Sequence, residues 1–346
     1  MEKVSTNQPI LITGATGFLG AHVALEFLRS GYHVKGTYRS KSSIDKASHI
    51  FSFYPDGGSL FSQIDWVNAD LLCYDDVLQA LSGISVVVHT AAEVSFNPRF
   101  KSRIVENNTR MAAYIVDACL ENRVDKLCHI SSIAAIGSTY NGDLITEDTK
   151  FASVKNQSGY SISKFYSEME VWRGINAGLN AQILNPSVIL GPGDWKTGSS
   201  TFISSVAKGL SFYTKGVTGF VDVRDVALAS RLVVETDTEE RQHIISAENI
   251  DYQQLLSSIA AGLGKKAPKY QAHPIALGIL AKLSGVVSLV TGSEPLVTPQ
   301  SARSAWKRSF YDGSRFAKLH SFTYTPISDC VNFACRCYLN DNGKAR

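Results

Sequence analysis

The segment Leu11-Ile-Thr-Gly14-Ala-Thr-Gly17-Phe-Leu-Gly20 constrains this chain more than any other. An apolar run leads into it and an amphipathic stretch, Phe18 to Ser30, leads out, so the chain must turn sharply from strand to helix. Glycines 14, 17 and 20 each do something a side chain would obstruct. They allow the tight turn, the approach of backbone N–H groups to a pyrophosphate, and close packing of helix on sheet. Three glycines alone would fit any turn. Strand, spacing, helix and position together predict a dinucleotide cradle that includes Thr16, Phe18 and Leu19.

The rest of the first half repeats this alternation. Apolar, β-rich runs at Pro9 to Thr13, His33 to Tyr38, Ile64 to Asp70, Ser85 to Thr90, Lys126 to Ser131 and Ala181 to Ile189 are read as six strands. Helical stretches at Phe18 to Ser30, Asp75 to Leu81, Pro98 to Asn122 and Ser158 to Ala177 lie between them. That is the pattern of an α/β, Rossmann-type doubly wound parallel sheet. Past Gly191 the sequence becomes rich in glycine and aromatics, which predicts a smaller, discontinuous C-terminal substrate domain. Residues 1–185 and 220–246 are assigned to the dinucleotide-binding domain, and 186–219 and 247–346 to the substrate domain.

Composition excludes several classes. With 346 residues, 44% hydrophobic and 19% charged, the chain is not disordered, collagen-like or a disulfide scaffold. A net charge of +3 is too balanced for a protein that coats nucleic acid or an anionic membrane, so the expected partner is a small molecule. Six sparse cysteines and the lack of an apolar leader point to a reducing, cytoplasmic setting. Cys335 and Cys337 are read as exposed or packing thiols, and no metal site is expected. The apolar run Pro274 to Gly292 carries Lys282 near its centre. It reads as a buried or pocket-covering helix rather than a span, with surface contact to a membrane left open.

A cofactor with a free ribose 2′-OH usually meets an acid about 20 residues past the glycines. Residues 31–44 contain none and offer Lys35, Arg39 and Lys41, with Lys46 just after. A guanidinium at Arg39, where the second strand should end, suits a 2′-phosphate. NADP(H) is therefore expected over NAD(H), the alternative being a solvated basic loop. Asp70 and Leu71, closing the third strand, could face the adenine, though Asp70 equally fits a turn cap. Small residues Thr90, Ala91 and Ala92 close the fourth strand and would let a cofactor lie across it.

Tyr160 and Lys164 stand four apart at the start of a helical stretch, so they share a face. A phenol titrates near pH ~10 and is a poor proton donor or acceptor at neutrality without help. One cation about 5 Å away at an effective dielectric of ~20 would favour phenolate by roughly two pK units. An oxidised nicotinamide ring would add to it. Ser131 and Ser132 end the fifth strand, where a hydroxyl could polarise a substrate carbonyl. The pattern alone does not choose between them.

Together, Gly14-xx-Gly17-xx-Gly20, Ser131-Ser132-xxxx-Gly137, Tyr160-xxx-Lys164 and Asn185-Pro186-xxxx-Gly191-Pro192 resemble the extended short-chain dehydrogenase/reductase family, over nearly the whole chain. The resemblance implies Tyr160 as general acid/base, Lys164 as its electrostatic helper and ribose anchor, and Ser132 as the serine that orients the carbonyl. It also implies a supporting role for Asn108 and cofactor contacts at Pro186 and Val188. Trp306-Lys-Arg308-Ser-Phe-Tyr-Asp312-Gly departs from the Arg-x-Gly-Asp-like segment of nucleotide-sugar enzymes. Other segments resemble the dihydroflavonol-4-reductase and 3β-hydroxysteroid dehydrogenase-like branches. Asp222 stands where His or Tyr is commoner. The expectation is an NADP(H)-dependent enzyme interconverting a ketone and a secondary alcohol on an apolar or cyclic substrate. The alternatives are a nucleotide-sugar epimerase/dehydratase with tightly held cofactor and a non-catalytic NADP(H) sensor. The resemblance further implies a homodimer through the helices at 98–122 and 158–177.

Overall fold

A computed structural model describes residues 9–95, 97–139, 142–151, 153–155, 157–273 and 305–343. Seven parallel strands form the central sheet: β1 (Ile10–Thr13), β2 (Val34–Tyr38), β3 (Asp65–Asn68), β4 (Val86–His89), β5 (Lys126–Ile130), β7 (Ala181–Pro186) and β11 (Gln242–Ile245). Their order is β11-β7-β5-β4-β1-β2-β3. The order reverses between β1 and β4, where Thr13 lies in register with His89. Such a switch point opens a crevice beyond the carboxyl ends of the strands.

Strand side chains alternate between faces, and the alternation divides the core. Ile10, Ile12, Val86, Val88 and Ile130 pack with helices α1 (Phe18–Arg29) and α8 (Val223–Glu235). Leu11, Val87, Leu127 and Ile183 face α4 (Tyr74–Ala80), α5 (Lys101–Glu121) and α6 (Gly159–Asn176). The inner strands β1, β4, β5 and β7 are buried on both faces, as parallel strands covered by crossover helices must be, while the edge strand β3 exposes Asp65 and Asn68.

Two helices absent from the sequence reading, α2 (Lys41–Phe51) and α3 (Gly57–Phe61), join β2 to β3. Ala47, Ile50 and Phe51 bury one side of α2 against the core, so Lys46 belongs to a helix and not to a loop.

The run Ala181 to Ile189, read as one strand, breaks at Ser187. β7 stays in the large sheet, while β8 (Val188–Leu190) pairs with β10 (Val217–Asp222). β10 in turn pairs with β12 (Glu248–Asp251), making a separate three-stranded sheet. Segment 220–246 therefore divides: its first residues stay in the small sheet, and α8 and β11 pack on the large one. Asp222 explains the change of direction, since its carboxylate caps α8 by accepting from the Arg224 N–H at 2.8 Å and pairs with the Arg224 guanidinium.

A third core cluster lies behind the small sheet. It joins Leu190 and Phe220 to α7 (Thr201–Ala207), α9 (Tyr252–Gly262) and the C-terminal helix Ile327–Asp341. Cys335 and Cys337 are buried in that helix, which removes the exposed-thiol alternative. Two short pairs complete the connections: β6 (Leu144–Ile145) with Phe310–Tyr311, and β9 (Phe212–Tyr213) with Tyr270–Gln271. The apolar run Pro274 to Gly292 lies outside the described residues. Among the described residues no helix is long and apolar enough to cross a membrane.

Candidate active site

The glycine turn sits at the switch point. Gly14 adopts φ +69°, a backbone region that favours glycine, and an added Cβ there would stand 2.8 Å from Ala91 Cα and 3.0 Å from Thr90 Oγ1. A Cβ on Gly20 would lie 2.1 Å from the Gly14 carbonyl oxygen. The turn is thus pressed against the end of β4 as the cradle requires. Thr90 locks this contact, its hydroxyl donating to Thr13 O at 2.7 Å. No side chain caps the start of α1 at Gly17, which is exposed, so the first N–H groups of that helix are left for an anionic ligand. Thr16, Phe18 and Leu19 are half-buried at the same turn. The residues present fit a dinucleotide pyrophosphate.

The outer ends of the crevice are less uniform. Arg39 follows β2 directly and is exposed, as is Lys46 on α2. Asp70 is exposed and one carboxylate oxygen accepts from Leu72 N–H at 3.1 Å, so the turn-cap reading is realised in the geometry. Leu71 is buried in the core cluster under α4. Ala91 and Ala92 are half-buried beyond β4. Pro186 ends β7, buried, and Val188 begins β8.

Tyr160 and Ser132 meet at the carboxyl edge of the sheet, near enough for the serine hydroxyl to favour the charged form of the phenol. The same serine oxygen accepts from Ala134 N–H at 3.1 Å, starting a short 3-10 turn that fixes its direction. This separates the two serines left open by sequence: Ser132 is at the phenol, while Ser131 lies beside Glu168. Tyr160 stands one residue inside α6, which begins at a Ser158 cap that accepts from Ser161 N–H at 2.7 Å.

The electrostatics depart from the expectation based on spacing. Burial pushes the Tyr160 phenol above its ordinary value, and the Ser132 hydroxyl pulls it back. Lys164 is 5% exposed and its ammonium donates to Ile130 O at 2.8 Å, at the end of β5. Burial brings it down to about 8, while Glu168 works the other way.

Asn108 does not reach Tyr160 through its amide. Nδ2 donates to Glu93 O at 2.9 Å and Ser163 Oγ at 3.0 Å, and Oδ1 accepts from Glu93 N–H at 2.7 Å. It fastens the loop after β4 to α6. Sequence reasoning missed Glu168, which continues the face of Tyr160 and Lys164 by one further turn, and Gln242, whose Nε2 donates to Glu168 at 3.1 Å. The i, i+4, i+8 spacing was a signal for the first; nothing local marks the second.

A model of the NAD dependent epimerase/dehydratase family matches residues 10–247, more than half of the chain. The chain belongs to that family. It is an NAD(P)-dependent enzyme of the extended short-chain dehydrogenase/reductase type. A Synechocystis sp. protein that carries the name dihydroflavonol 4-reductase is 27% identical over 312 residues, 88% of this chain and 87% of that one. Cinnamoyl-CoA reductase 1 of Arabidopsis thaliana is 27% identical over 247 residues, 68% of this chain and 70% of that one. The solved structure of gox2253 matches with TM-score 0.79 at 25% identity, over 98% of this chain and 100% of that one. UDP-glucuronic acid 4-epimerase from Bacillus cereus, in complex with UDP-glucuronic acid and NAD, shares the fold: TM-score 0.74, 20% identity, 96% of this chain and 99% of that one.

Proposed function

We propose that this member of the family is an NADP(H)-dependent oxidoreductase that interconverts a ketone and a secondary alcohol on an apolar or cyclic substrate. The observation that carries the reading is the placement of the Ser132 and Tyr160 hydroxyls together at the sheet edge, beside the glycine cradle. In the reductive direction Ser132 orients the carbonyl oxygen and Tyr160 gives it a proton; in the oxidative direction Tyr160 takes that proton from the alcohol. Lys164 presents its ammonium beneath the pair and anchors the ribose, and Asn108 positions α6. A nicotinamide bound here supplies or accepts the hydride. Gly14, Thr16, Gly17, Phe18, Leu19 and Gly20 would hold the pyrophosphate. Thr90, Ala91, Ala92, Pro186 and Val188 would border the nicotinamide half, and Asp70 and Leu71 the adenine half.

The NADP(H) preference rests on Arg39 and Lys46, exposed cations at the end of β2 and on α2, and on the lack of an acid in residues 31–44. The likeness to the Synechocystis sp. protein supports the reductase over the epimerase reading. Residues 186–219 and 247–346 would form the substrate side. A homodimer through α5 and α6 is part of the reading; Tyr166 and Met169 on α6 are exposed hydrophobics suited to such a face, and sedimentation at several concentrations tests it.

The deciding experiment is a panel of apolar cyclic ketones with NADPH, run beside UDP-sugars. Net NADPH oxidation with a ketone supports the proposal. Isomerisation of a UDP-sugar with the cofactor returned unchanged overturns it in favour of the epimerase, and tight cofactor binding without turnover favours a sensor.

A further inference from the structure

Glu168 is a buried acid for which the proposed reaction has no direct use. It is 3% exposed, and its carboxylate accepts from Asn185 Nδ2 and from Gln242 Nε2. Asn185 is fully buried and also donates to Ser132 O at 3.0 Å, so one amide holds both the acid and the backbone of the active serine. On the same helix face, one turn towards the N-terminus, lies Lys164. Burying a carboxylate costs several kcal/mol unless donors or a cation compensate it, and here two amides and the ammonium do.

Glu168 is also among the residues that line a cleft of about 150 Å³, with Glu147, Lys150, Phe165, Trp172 and Gln242.

We propose that Glu168 is the positioning residue of this site: its carboxylate, one helical turn beyond Lys164 and held in place by Asn185 and Gln242, keeps Lys164 in the ammonium form beneath Tyr160. The proposal rests on the assignment of Tyr160 and Lys164 above. Burial favours the neutral form of both partners, holding the acid up at about 7 and the amine down at about 8, so each needs the other to stay charged. Other groups face this pair from every packed element. They are Ser131 at the end of β5, Asn185 on β7 and Gln242 on β11; His89 and His129 near Lys164; and Glu147, Asp148 and Lys150 across the cleft, with Arg315 paired to Glu147 and Asp148. The histidines are held neutral by burial and the cleft acids are compensated by Arg315. The carboxylate of Glu168 is thus the charge that bears most directly on Lys164.

The test is the pH titration of Lys164 itself, read by NMR in the full chain carrying lysine labelled at 13Cε, with Lys164→Arg identifying the resonance. Glu168→Gln is expected to lower the Lys164 midpoint by roughly one pH unit. Gln242→Ala, which weakens the carboxylate's support from outside the site, is expected to lower it by less, and it decides the matter if Glu168→Gln does not fold. An unmoved midpoint in a folded variant overturns the proposal. The functional reading is judged separately: full turnover by Tyr160→Phe sinks that reading whatever Lys164 does, while an inactive Tyr160→Phe with an unmoved midpoint sinks only the role of Glu168.

Discussion

The side-chain amide of Asn185, at the end of β7, donates to the main-chain carbonyl of Ser132, at the end of β5, at 3.0 Å. Two neighbouring strands are thereby tied together at the point where the chain leaves the sheet to present the serine hydroxyl. Asn185→Ala leaves that carbonyl and the Glu168 carboxylate each short of a donor in a dry environment. A loss of about 1–3 kcal/mol in unfolding free energy is expected. Because the serine loses its support, kcat should fall more than KM rises. Denaturant melts and steady-state kinetics measure both; unchanged stability would show that water replaces the amide.

Gly14 tests the cradle. Gly14→Ala must fit a methyl 2.8 Å from Ala91 Cα at φ +69°, a strain of about 1–3 kcal/mol. The turn is expected to move off β4 and dinucleotide binding to fall below calorimetric detection. Wild-type affinity in this variant would contradict the cradle.

Arg39 tests the cofactor preference. A charge-assisted hydrogen bond contributes about 1.5–3 kcal/mol, so Arg39→Ala should raise the NADP dissociation constant at least ~10-fold and leave that of NAD nearly unchanged. An unaltered ratio of the two would remove the assignment.

His22 gives a pH dependence with a defined sign. Its ring is buried on α1, Nδ1 bonded to Phe18 O at 2.8 Å, and burial lowers it to about 4. The unfolded chain, titrating near ~6.5, binds the proton first. Stability from this group is therefore complete above pH ~6.5 and is lost as pH falls towards 4, at up to ~1.4 kcal/mol per pH unit. Glu168 and Asp225, raised by burial to about 7 and about 6, act in the opposite direction, so the readout is the difference between variant and wild type. His22→Gln should flatten the acid slope of a pH series of melts by up to one proton; an unchanged slope would mean that the ring titrates normally in the fold.

Much of this architecture is readable in the chain because local chemistry and tertiary position agree. Gly14 and Gly20 are glycines since a Cβ has no room, and the central strands β1 and β4 are apolar since helices cover both faces. The reading failed where the cause was distant. α2 looked like a basic loop because its apolar face, Ala47, Ile50 and Phe51, is short and interrupted by charges. The break at Ser187 is invisible in an unbroken apolar run, since it depends on β10 being available to pair with β8. At the site, Tyr160 and Lys164 follow from spacing. The direction of the lysine, which turns to Ile130 O, does not. Glu168 is held from Gln242, 74 residues away, a contact no local pattern encodes.

The central claim is that the Tyr160 hydroxyl carries the proton between solvent side and substrate oxygen. It is tested most directly by NADPH oxidation with the best ketone of the panel, comparing wild type with Tyr160→Phe at equal cofactor occupancy. A loss of at least ~10²-fold in kcat with cofactor affinity retained is predicted. Turnover of Tyr160→Phe at the wild-type rate would contradict the account.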